Sequence, residues 1–546
     1  MQYLMPFILA MVVTMAWLPL LVRYAPRWGI VDRPGVRKVH TAPVPRVGGL
    51  AMAVGVMIAA VLTINLDQQD RWFLIAAAVL VVFGAIDDRF DLDYRIKLLG
   101  QILAVGMVVF GGGIEVHWIT LDDRFVLSRW VSLPLTIFFL VGVTNAINLA
   151  DGLDGLAGGT TFLCLCAVAL LASVGDQGPP IALALAFAGA VIGFLRYNTY
   201  PASVFMGDAG SQLLGFAVGV LSVRATQSTA TQISAAIPIL LLALPILDTL
   251  SVMVQRIGEG RSPFSADKNH LHHKLLAMGF DHHEAVMVIY SVQAGLFLLA
   301  YFLRFESDLL IVAITSGFFV VAIALFQIAT RTGWRLRNRD QQPQERARPG
   351  LIAALGGPSL LSRLSYAAIA VAVGGYAVLI VIETATLRSD FRVLVLALLA
   401  LLAGCSAVLR GAPLSVIEKA TLYVTATVLV YIESVLLPEA RISSDLGWAA
   451  VAIAAVGTAV RLRLYNDRRF QLTPLDLIVL FMALVVPSLP GSLHLPHGGA
   501  LAIAKLVILF YAIEMLASRV EGRPLWLRVA AGSVLAGLAV RPLLPL

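Results

Sequence analysis

The 546 residues are 59% hydrophobic and only 13% charged, with a mean hydropathy of +0.87. A soluble domain is normally about a quarter charged, so this balance excludes a soluble chain and predicts an all-α polytopic membrane protein. The net charge of +7 would suggest nucleic acid in a soluble protein, but the basic residues cluster in short loops where membrane topology accounts for them, and no nucleic-acid partner is expected.

The first apolar run, residues 2–22, has no basic segment before it and no clear cleavage motif. Arg23 and Arg27 follow it, which predicts a retained first helix with its N-terminus outside. The next stretch, RPGVRKVHTAPVPRVGG, holds Lys38, His40 and Arg46 among prolines. These residues serve either as topology-setting charge or as a lid facing a phosphate. Apolar runs at 47–65 and 72–86 lead to IDDRFDLDYRIK, in which Asp87 and Asp88 close the run and Asp91 and Lys97 follow. Adjacent carboxylates repel and require a cation or a shared proton, which a divalent ion would satisfy. The plain alternative is a solvated acidic loop.

Runs at 97–112 and 132–149 come next, the second ending in NAINLADGLDGLAGG. Asn145, Asn148, Asp151 and Asp154 recur there at every third position, which on a helix makes them neighbours on one face. Carboxylates at a membrane edge are expensive and mark function; helix capping before a Gly-rich turn is the bland reading. After runs at 159–174 and 181–195, FMGDAGS places Asp208 at the start of the 209–223 run. It is either a helix cap or a metal ligand where helix amides face phosphates.

A run at 233–253 precedes HLHHKLLAMGF, with three histidines in four residues. On a helix, His270, His273 and Lys274 share a face and His272 points elsewhere. No cysteine accompanies them and the other clusters are carboxylates suited to a hard ion, so phosphate or sugar recognition fits better than zinc. His282 and His283 begin the following run and read as ordinary residues. Runs at 285–303 and 309–330 complete about eleven helices in residues 1–335. A basic linker at 336–350 and about seven further spans in 351–546 follow, where Glu383, Glu418, Glu433 and Glu514 are scattered. Helix packing or an oligomer contact, a homodimer included, is the expected role of those spans. The Lys and Arg bias puts all five polar clusters on the inside, as a shared cytosolic cleft.

RKVHTAPVPRVGG, DDRFDLD, NAINLADGLDGLAGG, FMGDAGS and HLHHKLLAMGF, in that order, resemble the polyprenyl-phosphate N-acetylhexosamine-1-phosphate transferases, the WecA/TagO/MraY superfamily. The resemblance covers about residues 1–335. It implies an enzyme of the bacterial inner membrane with a cytosolic active site. Such an enzyme moves a hexosamine 1-phosphate from a UDP-N-acetylhexosamine to undecaprenyl phosphate, releases UMP, and initiates an envelope glycan such as O-antigen or teichoic acid. It implies Mg2+, with Mn2+ as a substitute, held by Asp208, Asp88 and Asp151. It further implies catalytic roles for Asp87, Asp88, Asp151, Asp154, His270, His272 and His273, and substrate contacts from Lys38, His40, Arg46, Asp91, Lys97, Asn145, Asn148 and Lys274. Leu271 interrupts the histidines and Asp91 occupies a position where the muramyl-pentapeptide branch has lysine, which favours the simple-sugar branch. The muramyl-pentapeptide branch, and a transporter using intramembrane carboxylates, stand as the alternatives.

Overall fold

The computed structural model describes residues 3–33, 43–121, 123–175, 178–228, 232–262, 269–336, 358–387, 389–408, 412–436, 441–464, 474, 481, 499–518 and 525–542. The chain divides into two compact units, residues 1–342 with 473–478 and residues 343–472 with 479–546. Apart from Leu336, the expected linker at 336–350 lies outside the described residues.

The first unit begins with α1 (Leu4–Trp28), the antiparallel pair of two-residue strands β1 (Val31–Asp32) and β2 (Val44–Pro45), and α2 (Gly48–Thr63). It continues with α3 (Gln68–Phe90), α4 (Tyr94–Gly106), a π turn at Met107–Gly111, and the hairpin of β3 (Trp118–Thr120) and β4 (Arg124–Val126). Then come α5 (Arg129–Ala150), α6 (Leu156–Val174), α7 (Gly178–Asn198), α8 (Gly207–Thr226), α9 (Ile237–Leu241), α10 (Ala243–Gly258), α11 (Leu271–Ala277), α12 (His282–Phe302) and α13 (Asp308–Thr332). Eleven of these helices have thirteen residues or more, matching the sequence expectation. Across the described residues, eight helices are long and apolar enough to cross a membrane. The protein is an all-α polytopic membrane protein.

Helices apolar on all sides are covered by protein or by lipid, and α6, α7 and α8 form the buried centre, packed on one another and on α1, α3 and α5. By contrast α13 keeps Val321, Leu325 and Ile328 exposed, the surface of a helix that faces lipid. Helices α3 and α8 are antiparallel and are tied at both ends. At one end Arg224 of α8 pairs with Asp70, and with Asp67 at 3.3 Å, where a reciprocal capping box opens α3. At the other end the carboxylate of Asp88 accepts the first amides of α8. Between the two backbones at that end sits Gly84, whose added Cβ would lie 2.4 Å from the Cα of Ala209. The close approach puts the end of α3 and the start of α8 in direct register.

The second unit holds α14 (Pro358–Glu383), α15 (Ser389–Val408), α16 (Ala412–Tyr431) with a π turn at Ile432–Leu436, α17 (Arg441–Leu464), α18 (Gly499–Ser518) and α19 (Leu525–Ala539). Ile369, Ala372, Ala454, Ala512, Met515 and Leu516 form its apolar core. Two buried acids interrupt it: Glu433 lies between Lys505 Nζ at 2.6 Å and the Tyr376 hydroxyl at 2.6 Å, and Glu418 pairs with Arg528. Of the other acids noted there, the side chain of Glu514 lies outside the described residues.

Candidate active site

The site assembles where α3 and α5 end and α8 begins. Asp87 and Asp88 are both buried in the last turn of α3. They separate in role. Asp88 accepts the Asp208 N–H at 2.8 Å and the Ala209 N–H at 3.1 Å, two of the orphan donors of a helix start. Gly207, just before them, has φ +69°, and a Cβ there would strike the Asp88 carboxylate at 2.4 Å. Asp87 accepts the Leu92 N–H at 2.8 Å and pairs with Lys97 Nζ at 2.6 Å. Lys97 also lies 3.9 Å from Asp208, so one ammonium sits between two carboxylates. Asp91 ends α3 in the left-handed region at φ 53° and is exposed.

From α5, Asn148 donates to Asp208 Oδ1 at 2.7 Å and its amide also lies 2.7 Å from Ser211 Oγ. Asn145, one turn earlier, is engaged within the bundle: it donates to Gln101 at 2.6 Å, and Gln101 donates in turn to Gln212 at 3.2 Å. The one-face expectation for the four polar residues fails beyond Asn148. Helix α5 stops at Ala150, Asp151 caps it, and Gly155 at φ +82° turns the chain away. Asp154 therefore sits on a turn, where it accepts the Ala202 N–H at 2.9 Å and fixes the segment before α8. Asn198 and Tyr290 hold Gly155 through its N–H and its carbonyl. Asp151 itself is half-buried. Desolvation first, then the charges of Asp208 and Asp154, push its carboxyl up to about 7, opposed by Arg46. Arg46 itself pairs with Asp32. Lys38 and His40 lie outside the described residues.

The histidine segment also departs from its expected geometry. Helix α11 starts at Leu271, so His270 is its cap with extended backbone and shares no helical face with His273 and Lys274. His270 and His272 are the buried pair, with rings parallel to 6° at 5.9 Å. His273 packs on His272 at 4.2 Å, and Lys274 lies 5.9 Å from the Phe326 ring. The His272 ring fills the space beside Gly152, where a Cβ would meet it at 2.2 Å. Burial, then the neighbouring His273, lowers the His272 imidazole to about 4. Asp248 of α10 holds the start of α11: it accepts the Leu271 N–H at 2.6 Å and lies 2.9 Å from His270 Nδ1. Neither Asp248 nor Gln101 carries a signal in the sequence. His282 also joins the site, stacked on Tyr200 at 4.3 Å with Nε2 3.5 Å from the Asp154 carbonyl.

Among the described residues no three His, Cys, Asp or Glu side chains are grouped to hold an ion alone. Two carboxylates, Asp151 and Asp208, are near enough to repel one another, while Asp88, expected as a third ligand, has both oxygens on the α8 amides. Mg2+ is usually bound through one or two carboxylates plus phosphates and water, so this donor set fits an ion shared with a phosphorylated ligand.

The sequence model of Glycosyl transferase family 4 matches residues 71–226, the span from α3 through α8. A probable undecaprenyl-phosphate N-acetylglucosaminyl 1-phosphate transferase of Bacillus subtilis is 38% identical over 292 residues, 52% of this chain and 80% of that protein. The chain belongs to glycosyl transferase family 4. The decaprenyl-phosphate N-acetylglucosaminephosphotransferase of Mycobacterium tuberculosis strain H37Rv is 38% identical over 300 residues, 49% of this chain and 74% of the relative. The undecaprenyl-phosphate alpha-N-acetylglucosaminyl 1-phosphate transferase of Escherichia coli K12 is 30% identical over 339 residues, 60% and 90% of the two chains. This family 4 member is thus a glycosyl-1-phosphate transferase by relationship, and its matched segment contains Asp87, Asp88, Lys97, Asn148, Asp151 and Asp208.

Proposed function

We propose that the protein transfers N-acetylglucosamine 1-phosphate from its UDP-sugar to a polyprenyl phosphate, of which undecaprenyl phosphate is the expected form, and releases UMP. The cleft opens to the cytosol from the bacterial inner membrane. The observation that carries this reading is the cluster at the start of α8. Asp208 is fixed by Asn148, Asp88 holds the helix amides, and Lys97 stands between Asp87 and Asp208.

Two anionic reactants meet in this reaction, so positioning and charge neutralisation are what the protein must supply. An oxygen of the lipid phosphate attacks the β-phosphorus of the nucleotide sugar. A new P–O–P linkage forms as the bond from that phosphorus to the oxygen bridging the α-phosphate breaks, and UMP departs with the bridging oxygen. Asp87, held beside Lys97, accepts the residual proton of the lipid phosphate. Lys97 and Arg46 offset phosphate charge, and the neutral His272 offers a hydrogen bond beside Gly152. Bound Mg2+, or Mn2+ in its place, supplies Lewis-acid neutralisation of the diphosphate with Asp208 and Asp151 as its protein ligands. Asp88 shapes the site through the helix. Asp154, through the Ala202 segment and the stacked Tyr200 and His282, shapes the nucleotide side.

The names of the relatives support the N-acetylglucosamine donor over the muramyl-pentapeptide one. Purified protein with Mg2+, undecaprenyl phosphate and a donor panel tests the reading. UDP-N-acetylglucosamine should release UMP, and Asp208→Asn should lower the rate by about 100-fold or more. Wild-type turnover in that variant overturns the assignment, and release only from the muramyl-pentapeptide donor replaces the substrate.

A further inference from the structure

Helix α10 is apolar through most of its first half, yet Asp248 sits there 6% exposed. A buried carboxylate is costly unless its oxygens are engaged. Both oxygens of Asp248 are engaged, and both by the start of α11. Oδ1 takes the Leu271 N–H and Oδ2 takes Nδ1 of His270. A carboxylate only accepts, so Nδ1 carries a proton. Nε2 is then the nitrogen left for a ligand. The second hydrogen bond fixes where the ring stands relative to His272 and Gly152.

We infer that Asp248 is a positioning residue of the transfer reaction, setting the tautomer and plane of His270 toward the substrate phosphates. This rests on the phosphotransferase reading above. The two oxygens separate this role from simple capping of α11. Asparagine at 248 keeps a carbonyl acceptor for Leu271 N–H but offers an amide donor to His270. It thereby drives the ring proton to Nε2.

The test combines turnover with hydrogen exchange of the α11 amides in the full-length protein. Asp248→Asn should lower kcat by about 10- to 100-fold, with the KM for UDP-N-acetylglucosamine little changed and exchange across 271–277 as in wild type. Asp248→Ala should lower kcat and also speed that exchange. In a His270→Gln background, Asp248→Asn should add no further loss, because the residue acts through the ring. The inference is overturned by wild-type kcat in Asp248→Asn, by an equal loss with and without His270, or by faster exchange in Asp248→Asn, which would reduce the residue to a cap. If wild-type protein releases no UMP from any donor, the functional reading fails by itself. The geometry is still decided by exchange, and unchanged protection of α11 in Asp248→Ala rejects it.

Discussion

Asp151 exposes the electrostatic problem the cleft has to solve. Its folded pKa, about 7, lies above the ordinary 3.8. The folded protein therefore holds more protons than the unfolded chain between those values. The contribution to stability is full below the unfolded pKa and is lost as pH rises through the folded one. A divalent cation held by Asp151 and Asp208, as proposed above, would remove that loss by stabilising the ionised form. Mg2+ should therefore raise the thermal midpoint of the detergent-solubilised protein more at about pH 8 than at about pH 5.5. Asp151→Asn should raise the metal-free midpoint at the higher pH and shrink the Mg2+ effect. A Mg2+ shift that is the same at both pH values in scanning fluorimetry contradicts this account of the carboxylates. His272 works in the opposite sense. Its folded pKa of about 4 lies below the ordinary 6.5, so stability is gained as pH rises through that window. His272→Gln should flatten that acid limb, and an unaltered limb would place its origin elsewhere.

Among the elements, the turn after α5 and helix α11 meet through one missing side chain. Gly152→Ala would put a methyl 2.2 Å from the His272 ring, which is walled by His270 and His273. Overpacking of this kind typically costs about 1–3 kcal/mol, and in a His272→Ala background the penalty should vanish. Thermal midpoints of the two singles and the double measure it, and a penalty that persists without the ring rejects the contact. Such contacts mark the limit of sequence reading. The acidic pair, the Asn–Asp motif, Asp208 and the histidines were legible because polar groups at a membrane edge need a reason, and each occurs within a local motif. Their division of labour was not. Asp88 serves α8 backbone amides 120 residues away, Asn145 is absorbed by Gln101, and Asp154 turns to Ala202. Asp248 was invisible for the same cause: a lone acid in an apolar run has no partner in its own segment, and its partner lies 22 residues on. His282 looked ordinary because Tyr200, which gives it a place, belongs to another loop. The eleven long helices of the first unit match the reading because length and apolar composition are local properties, and the span expected at 474–489 lies outside the described residues but for 474 and 481. The helical face assigned to His270 was wrong because the helix begins one residue later than the pattern implied.

At the scale of the whole molecule, the family match accounts for only part of the chain. The relatives are covered over 74–90% of their own length by about half to three-fifths of this one. The second unit has its own apolar core and its own buried polar pins, which lets its stability be probed apart from the chemistry of the first. Lys505 is the informative position. Its ammonium lies 2.6 Å from Glu433 and 4.4 Å from the centre of the Trp448 ring, and Glu433 is completed by the Tyr376 hydroxyl. Together these four residues join α14, α17 and α18 to the π turn after α16. Removing one partner of a buried pair leaves the other charge uncompensated, at about 3–5 kcal/mol, whereas replacing both by apolar groups is often neutral. Lys505→Leu should therefore make the second unit readily cleaved by protease in detergent, and Glu433→Leu combined with Lys505→Leu should restore most of the resistance. UMP release should stay at the wild-type rate in both variants, because among the described residues the partners of Asp208, Asp87 and Lys97 given above lie in the first unit. Loss of turnover in Lys505→Leu that returns in the double variant would instead make an intact second unit a requirement for transfer.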